Sequence, residues 1–180
     1  MEKRIKSKRI YDGKIIKVDV DDVELINQKQ TKREVVIHNG GVGILAIIDG
    51  KIILVKQYRY PHHEFLVEIP AGKIEIGEEP YDTGMREIEE ETGYCAKSMN
   101  LITKMIPTPG YSSEVIHIYE AENVQKAINP LKSDDDEFID LIYLPIEEAY
   151  KQVQEMKICD AKTIIAIYYA YNKYIKKIDK

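Results

Sequence analysis

Residues 72–94 read GKIEIGEEPYDTGMREIEEETGY, and the organisation of the whole chain can be worked outward from them. A helix is expected over 79–92, stopped at Gly93, because glycine accepts the left-handed conformation that closes a helix C-terminus. Residues three and four apart share a helix face, so Glu87, Glu90 and Glu91 point broadly the same way while Glu89 turns mostly away. Like charges at this spacing repel by a few tenths of a kcal/mol per pair. A hard divalent cation removes that penalty and takes the oxygens as ligands, as magnesium prefers. Arg86, four residues before Glu90, can neutralise or orient the cluster from its edge. An acidic helix face taken alone is most simply a solvated one. Here, however, Gly72 and Gly77 bound a loop entering the helix, where backbone can approach an ion or a phosphate closely.

Beyond this segment, apolar runs rich in β-branched residues and bounded by turn residues predict strands over 10–20, 33–38, 42–48, 51–59, 65–69, 101–106, 115–120 and 138–144. The Asp49-Gly50 pair is a two-residue hairpin signal. Two further helices are expected, over 145–156 with Pro145 at its start and over 160–176 with Asp160 as N-cap. Helices interspersed among short strands, without regular βαβ alternation, indicate an α+β fold built on a mixed sheet. Neither an internal repeat nor a low-complexity linker interrupts it.

At 180 residues, 44% hydrophobic and 32% charged, the chain fits one globular domain with a substantial core. Its formal net charge of -5 argues against a nucleic-acid partner. The basic runs at 1–9 and 173–180 read as solvated tails. Cys95 and Cys159 fit neither a zinc site nor a disulfide framework, and a reducing, cytoplasmic setting is the default. No apolar signal segment follows the basic start. The longest apolar stretch, 164–171, is too short to span a bilayer, so no membrane association is expected.

The quoted segment resembles the Nudix box, G-x5-E-x7-R-E-U-x-E-E-x-G-U with U apolar. Gly72, Glu78, Arg86, Glu87, Ile88, Glu90, Glu91, Gly93 and Tyr94 fill every fixed position. The resemblance implies an α/β/α sandwich around a mixed sheet, with the box as a loop–helix–loop holding magnesium, or manganese in its place. It makes Glu87 and Glu91 the principal ligands, Glu90 a secondary one and the carbonyl of Ala71 a further one. Gly84 departs from the alanine of many members, which costs about 1 kcal/mol of helix propensity. The stretches 56–61, 66–73, 107–111, 134–138 and 160–163 resemble the ADP-ribose pyrophosphatase branch in particular. Pro109, sixteen residues after Gly93, stands where that branch keeps a proline. The branch implies hydrolysis of ADP-ribose to AMP and ribose 5-phosphate. It also implies a homodimer in which N-terminal strands contribute to the partner's substrate site, with 1–40 as an N-terminal antiparallel strand region and 41–180 as the hydrolase domain. Another nucleoside diphosphate sugar such as GDP-mannose, a dinucleotide, or a non-hydrolytic sensor are the competing readings. The filled acidic positions speak against the sensor.

Several residues acquire physical roles in such a reaction. Arg59 can grip a phosphate bidentately, and Arg33 can do the same from a neighbouring strand. Glu68, at a strand end beside the box, can accept from a ribose hydroxyl or hold an arginine. The proline-stiffened loop 107–111 offers a flat aromatic ring beside Pro109. Water attacking phosphorus in line needs a base, and Glu137 is the candidate: it follows Asp134–Asp136 in an acidic loop away from the box, where the resembled branch has a glutamate in that role; a shift of register would hand the task to Asp136. Gly41-Val42-Gly43 imitates a dinucleotide fingerprint, yet Asp49-Gly50 ends the segment before a helix can form. His62 and His63 lack metal-site companions, and His38 and His117 are isolated within strand patterns.

Overall fold

The computed structural model describes residues 1–131 and 138–176. It divides into two compact units, the first made of Met1–Gly40 with Ile106–Val115, the second of Gly41–Met105 and the chain from Ile116 onward.

The first unit is a three-stranded antiparallel sheet of β1 (Lys3–Asp12), β2 (Lys17–Glu24) and β3 (Gln30–Ile37), in that order. Two expectations are corrected here. The strand expected over 10–20 is broken by a turn in which the Gly13 N–H donates to Ile16 O at 3.0 Å. The basic run at 1–9, expected as a tail, is mostly strand. Its cations answer the acidic row of β2: Arg9 bonds Asp19, and Arg4 lies 4.0 Å from Asp21. Cross-strand opposite charges of this kind favour pairing, which a reading of charge runs along the chain does not reveal. The loop Ile106–Val115 is tied to β3 by Val36 N donating to Tyr111 O (2.7 Å) and Ser113 N donating to Val36 O (2.9 Å).

In the second unit the strands are β4 (Gly41–Leu45), β5 (Ile47–Ile48), β6 (Lys51–Arg59), β7 (Glu64–Glu68), β8 (Ala71–Lys73), β9 (Tyr94–Cys95), β10 (Ser98–Met105), β11 (Ile116–Glu122), β12 (Gln125–Lys126) and β13 (Ile139–Pro145). The helices are α1 (Pro80–Thr92), α2 (Ile146–Gln154) and α3 (Ala161–Ala170), the last continuing into a π-helical turn, Tyr171–Ile175. A mixed sheet runs β10-β11-β4-β8, with β11 and β4 parallel and the other pairs antiparallel. An antiparallel sheet runs β13-β6-β5, with β7 also on β6.

Side chains alternate across a strand, and the core divides accordingly. Val42, Ile44, Ile53 and Tyr119 pack with Ile88 of α1 on one side. Leu45, Ile52, Leu54 and Ile118 pack with Ala149 and Val153 of α2 and Ala166 and Ile167 of α3 on the other. Helices covering both faces of the strands give the expected α/β/α sandwich. The Asp49-Gly50 turn forms with φ of 49° and 73°. The glycine pattern of 41–46 is strand β4. Among the described residues no helix is long and apolar enough to cross a membrane.

Candidate active site

The site grows from the passage of β7 through Ile69-Pro70 into β8 and across the loop to α1. Pro80 occupies the first turn of α1, where its missing N–H costs nothing. Gly93 closes the helix at φ 70°, its N–H donating to Glu89 O at 2.9 Å. Glu87 and Glu91 are 8% and 9% exposed, unusual burial for carboxylates, and Glu90 is half-buried. The Ala71 N–H donates to Glu91 Oε2 at 2.8 Å, fastening the helix to β8.

Gly72 has a direct steric reason. A Cβ there would stand 1.8 Å from Glu87 Cδ and 1.9 Å from Oε1, so the carboxylate of Glu87 occupies the space that any other residue would fill. Arg86 braces the remainder. Its Nη1 lies 2.7 Å from Glu87 Oε1 and 2.6 Å from Glu90 Oε2, while Nε and Nη2 each reach Glu78 at 3.1 Å. Those bonds hold the Glu78 carboxyl down at about 2. The eight-residue separation of Glu78 and Arg86 is thus the span between the loop and the second turn of the helix. Glu89 turns elsewhere and accepts from Leu131 N at 3.3 Å.

Among the described residues no three His, Cys, Asp or Glu side chains enclose a metal as they stand. Glu87 and Glu90 instead share Arg86. The donor set still suits a hard divalent cation, since magnesium takes one or two carboxylates and keeps several waters. The seat that Gly72 leaves for the Glu87 carboxylate fixes one such donor in place.

A second cluster stands near this helix. Arg59, at the end of β6, donates from Nε to Glu68 Oε1 (2.6 Å) and from Nη2 to Glu68 Oε2 (2.8 Å). Glu68 is 2% exposed and also accepts from the buried Lys162. Burial pushes the Glu68 carboxyl up, but the Arg59 hydrogen bonds and the Lys162 charge outweigh it, leaving the group at about 2. Glu91 and Asp160 add to the field that holds Arg59 charged. Asp160 caps α3 by accepting from Thr163 N at 3.0 Å, and the Thr163 hydroxyl accepts from Ile69 N at 2.8 Å.

The structure therefore places Ala71, Glu87, Glu90 and Glu91 together, with Arg59 and Glu68 close to Glu91. Arg33 and Pro109 belong to the first unit, and Arg33 is paired with Glu2 at 2.6 Å. Glu137 and Asp136 lie outside the described residues. Lys162 falls in the resembling stretch 160–163, but its sequence context assigned it no role. The available signal was its place on the buried stripe of α3 (Lys162, Thr163, Ala166, Ile167, Ala170), where a lysine is out of character.

A buried carboxylate helix set on glycine, with an arginine–glutamate pair beside it, defines a centre for chemistry at charged phosphorus groups. Residues 37–166 match the model of the NUDIX domain, and residues 2–36 match that of the nucleoside diphosphate sugar hydrolase N-terminal domain. The chain belongs to the Nudix family, whose members generally use divalent metal ions. It is 47% identical over 169 residues to an ADP-ribose pyrophosphatase of Bacillus subtilis (strain 168), which covers 93% of this chain and 91% of that protein. It is 46% identical, with the same coverage, to a methanol dehydrogenase activator of Bacillus methanolicus. A GDP-mannose pyrophosphatase of Yersinia enterocolitica is 31% identical over 150 residues, 78% of each chain. A crystal structure described as an ADP compounds hydrolase shares the fold, with a TM-score of 0.85 at 21% identity, covering 96% of this chain and 93% of that one.

Proposed function

We propose that the protein hydrolyses the diphosphate of ADP-ribose to AMP and ribose 5-phosphate. The observation that carries this reading is the seating of Glu87 on Gly72 beside Glu91, with Arg59 inside the field of Glu91. This arrangement supports the reading of Glu87 and Glu91 as cation ligands and of Arg59 as the arginine that grips the phosphate. The 47% identity to an ADP-ribose pyrophosphatase supports the choice of substrate.

Glu87 and Glu91, assisted by Glu90 and the Ala71 carbonyl, would hold magnesium, with manganese able to replace it. A cation held there would supply positive charge to the phosphate oxygens and would make the attacking water more acidic. Arg59 binds and orients the diphosphate, and Glu68 holds Arg59 by both oxygens. Arg33, as a phosphate-gripping arginine, and Pro109 are further substrate-binding candidates. Glu137 takes the proton from the water that attacks phosphorus in line, with Asp136 as its alternative. Residues 1–40 act as the strand region of a homodimer and 41–180 as the hydrolase domain, in the cytoplasm.

The test is turnover of ADP-ribose, GDP-mannose and a dinucleotide by purified protein with magnesium. ADP-ribose cleaved with the highest kcat/KM is the expected result. GDP-mannose turned over with ADP-ribose untouched rejects it in favour of another nucleoside diphosphate sugar, a reading that the 31% identity to a GDP-mannose pyrophosphatase keeps in play.

A further inference from the structure

We infer that Lys162 is a positioning residue for the substrate diphosphate, keeping the charge of Arg59 available to it; the inference rests on the phosphate-binding role proposed for Arg59. Lys162 is 7% exposed, and its ammonium bonds Glu68 Oε2 and lies 3.1 Å from Asp160 Oδ2. Burying an ammonium is costly, and an apolar residue at this position of the helix stripe would avoid the cost. Attachment of α3 does not account for it. Thr163 already joins the helix to Ile69, and Asp160 already caps it.

What Lys162 contributes is charge. Arg59 spends Nε and Nη2 on Glu68, and among the described residues Nη1 meets no acceptor. Arg59 and Glu68 alone would cancel, and Glu91 and Asp160, whose fields also reach Arg59, would leave the group negative. An approaching diphosphate would then be repelled. Lys162 offsets one unit of that negative charge at Glu68 and Asp160, and the guanidinium, 39% exposed at its side chain, can offer its outer edge to an incoming anion. Arg59 is held by Glu68 without being neutralised for good.

The test is a double-mutant cycle with full-length protein and magnesium, using Lys162→Met, Glu68→Gln and the pair together. Lys162→Met should raise KM about ten-fold, equivalent to about 1.4 kcal/mol, while kcat changes by less than about three-fold. In the double variant the cost of Lys162→Met should shrink to less than about three-fold over Glu68→Gln alone, because with residue 68 neutral Lys162 has only Asp160 left to balance. An unchanged KM in Lys162→Met, or a double-variant KM that multiplies the two single effects, overturns the inference. Should Lys162→Met fail to fold with its stranded charges, the double variant against Glu68→Gln carries the same decision: a KM rise of less than about three-fold supports it and a rise of about ten-fold refutes it. The wild type is run first on the substrate panel. A preference for a nucleoside diphosphate compound other than ADP-ribose removes the substrate assignment, while the cycle proceeds on that compound and judges Lys162 separately.

Discussion

Replacing Gly72 by alanine perturbs the site through a single methyl group. The new Cβ would lie 1.8 Å from Glu87 Cδ, 1.9 Å from Oε1 and 2.4 Å from Cγ. Non-bonded carbons rest at about 3.5–4.0 Å, so the carboxyl group must retreat by about 1.7 Å or more. It cannot do so and keep the 2.7 Å bond to Arg86. Forcing the side chain off its rotamer costs about 0.5–1.5 kcal/mol, and local overpacking about 1–3 kcal/mol. The protein is therefore expected to fold with a modestly lower thermal midpoint. Catalysis should suffer more, because a displacement of about 1 Å in a reacting constellation can cost about 100-fold. The assay is magnesium-dependent turnover of ADP-ribose beside a thermal melt of the same preparation, with divalent-ion binding followed by calorimetry. Weakened ion binding, a kcat lowered about 100-fold and a melt still cooperative would agree with the reasoning. Wild-type kcat in Gly72→Ala would refute it, since Glu87 would then not need its seat.

Glu91→Gln should lower turnover about 100-fold or more while the melt stays cooperative, since glutamine still accepts from Ala71 N; unfolding would make this residue structural. Glu137→Gln should lower kcat far more than it changes KM, and an unchanged rate would move the base to Asp136 or elsewhere. Glu68 is held at about 2, below its ordinary 4.5, so its ion pairs stabilise the fold fully above about 4.5 and are lost as pH falls toward about 2. The thermal midpoint should fall across that window, and Glu68→Gln should flatten the dependence there. A variant that keeps the wild-type slope would show that other carboxylates govern it.

Local chemistry was readable from the chain. The spacing of Glu87, Glu90 and Glu91, the cap at Gly93, the Asp49-Gly50 turn and the Asp160 cap each depend on residues within about one helical turn or one hairpin. The sandwich was implied by the family resemblance, and in the structure strand alternation builds it by sending Ile44 and Leu45 to opposite layers. What stayed hidden depends on partners distant along the chain. The basic start of β1 looked like a tail because its counter-charges, Asp19 and Asp21, lie on another strand. Gly72 suggested backbone approaching a ligand, whereas its space is taken by Glu87, fifteen residues on. Lys162 meets Glu68 from 94 residues away, a pairing that no periodicity announces.

The Arg86 fork carries a consequence for how the enzyme lives with and without its ion. A guanidinium shared among Glu78, Glu87 and Glu90 acts as a resident placeholder, so mutual repulsion is already quenched when the chain folds. The carboxylates are gathered in advance, and folding should not wait for a cation. A cation would have to displace Arg86 from Glu87 and Glu90 to take their oxygens as ligands, which would weaken its binding. Stripping the protein with a chelator should leave it intact and ready to be recharged, in contrast to small zinc domains that fall apart when their metal is taken away.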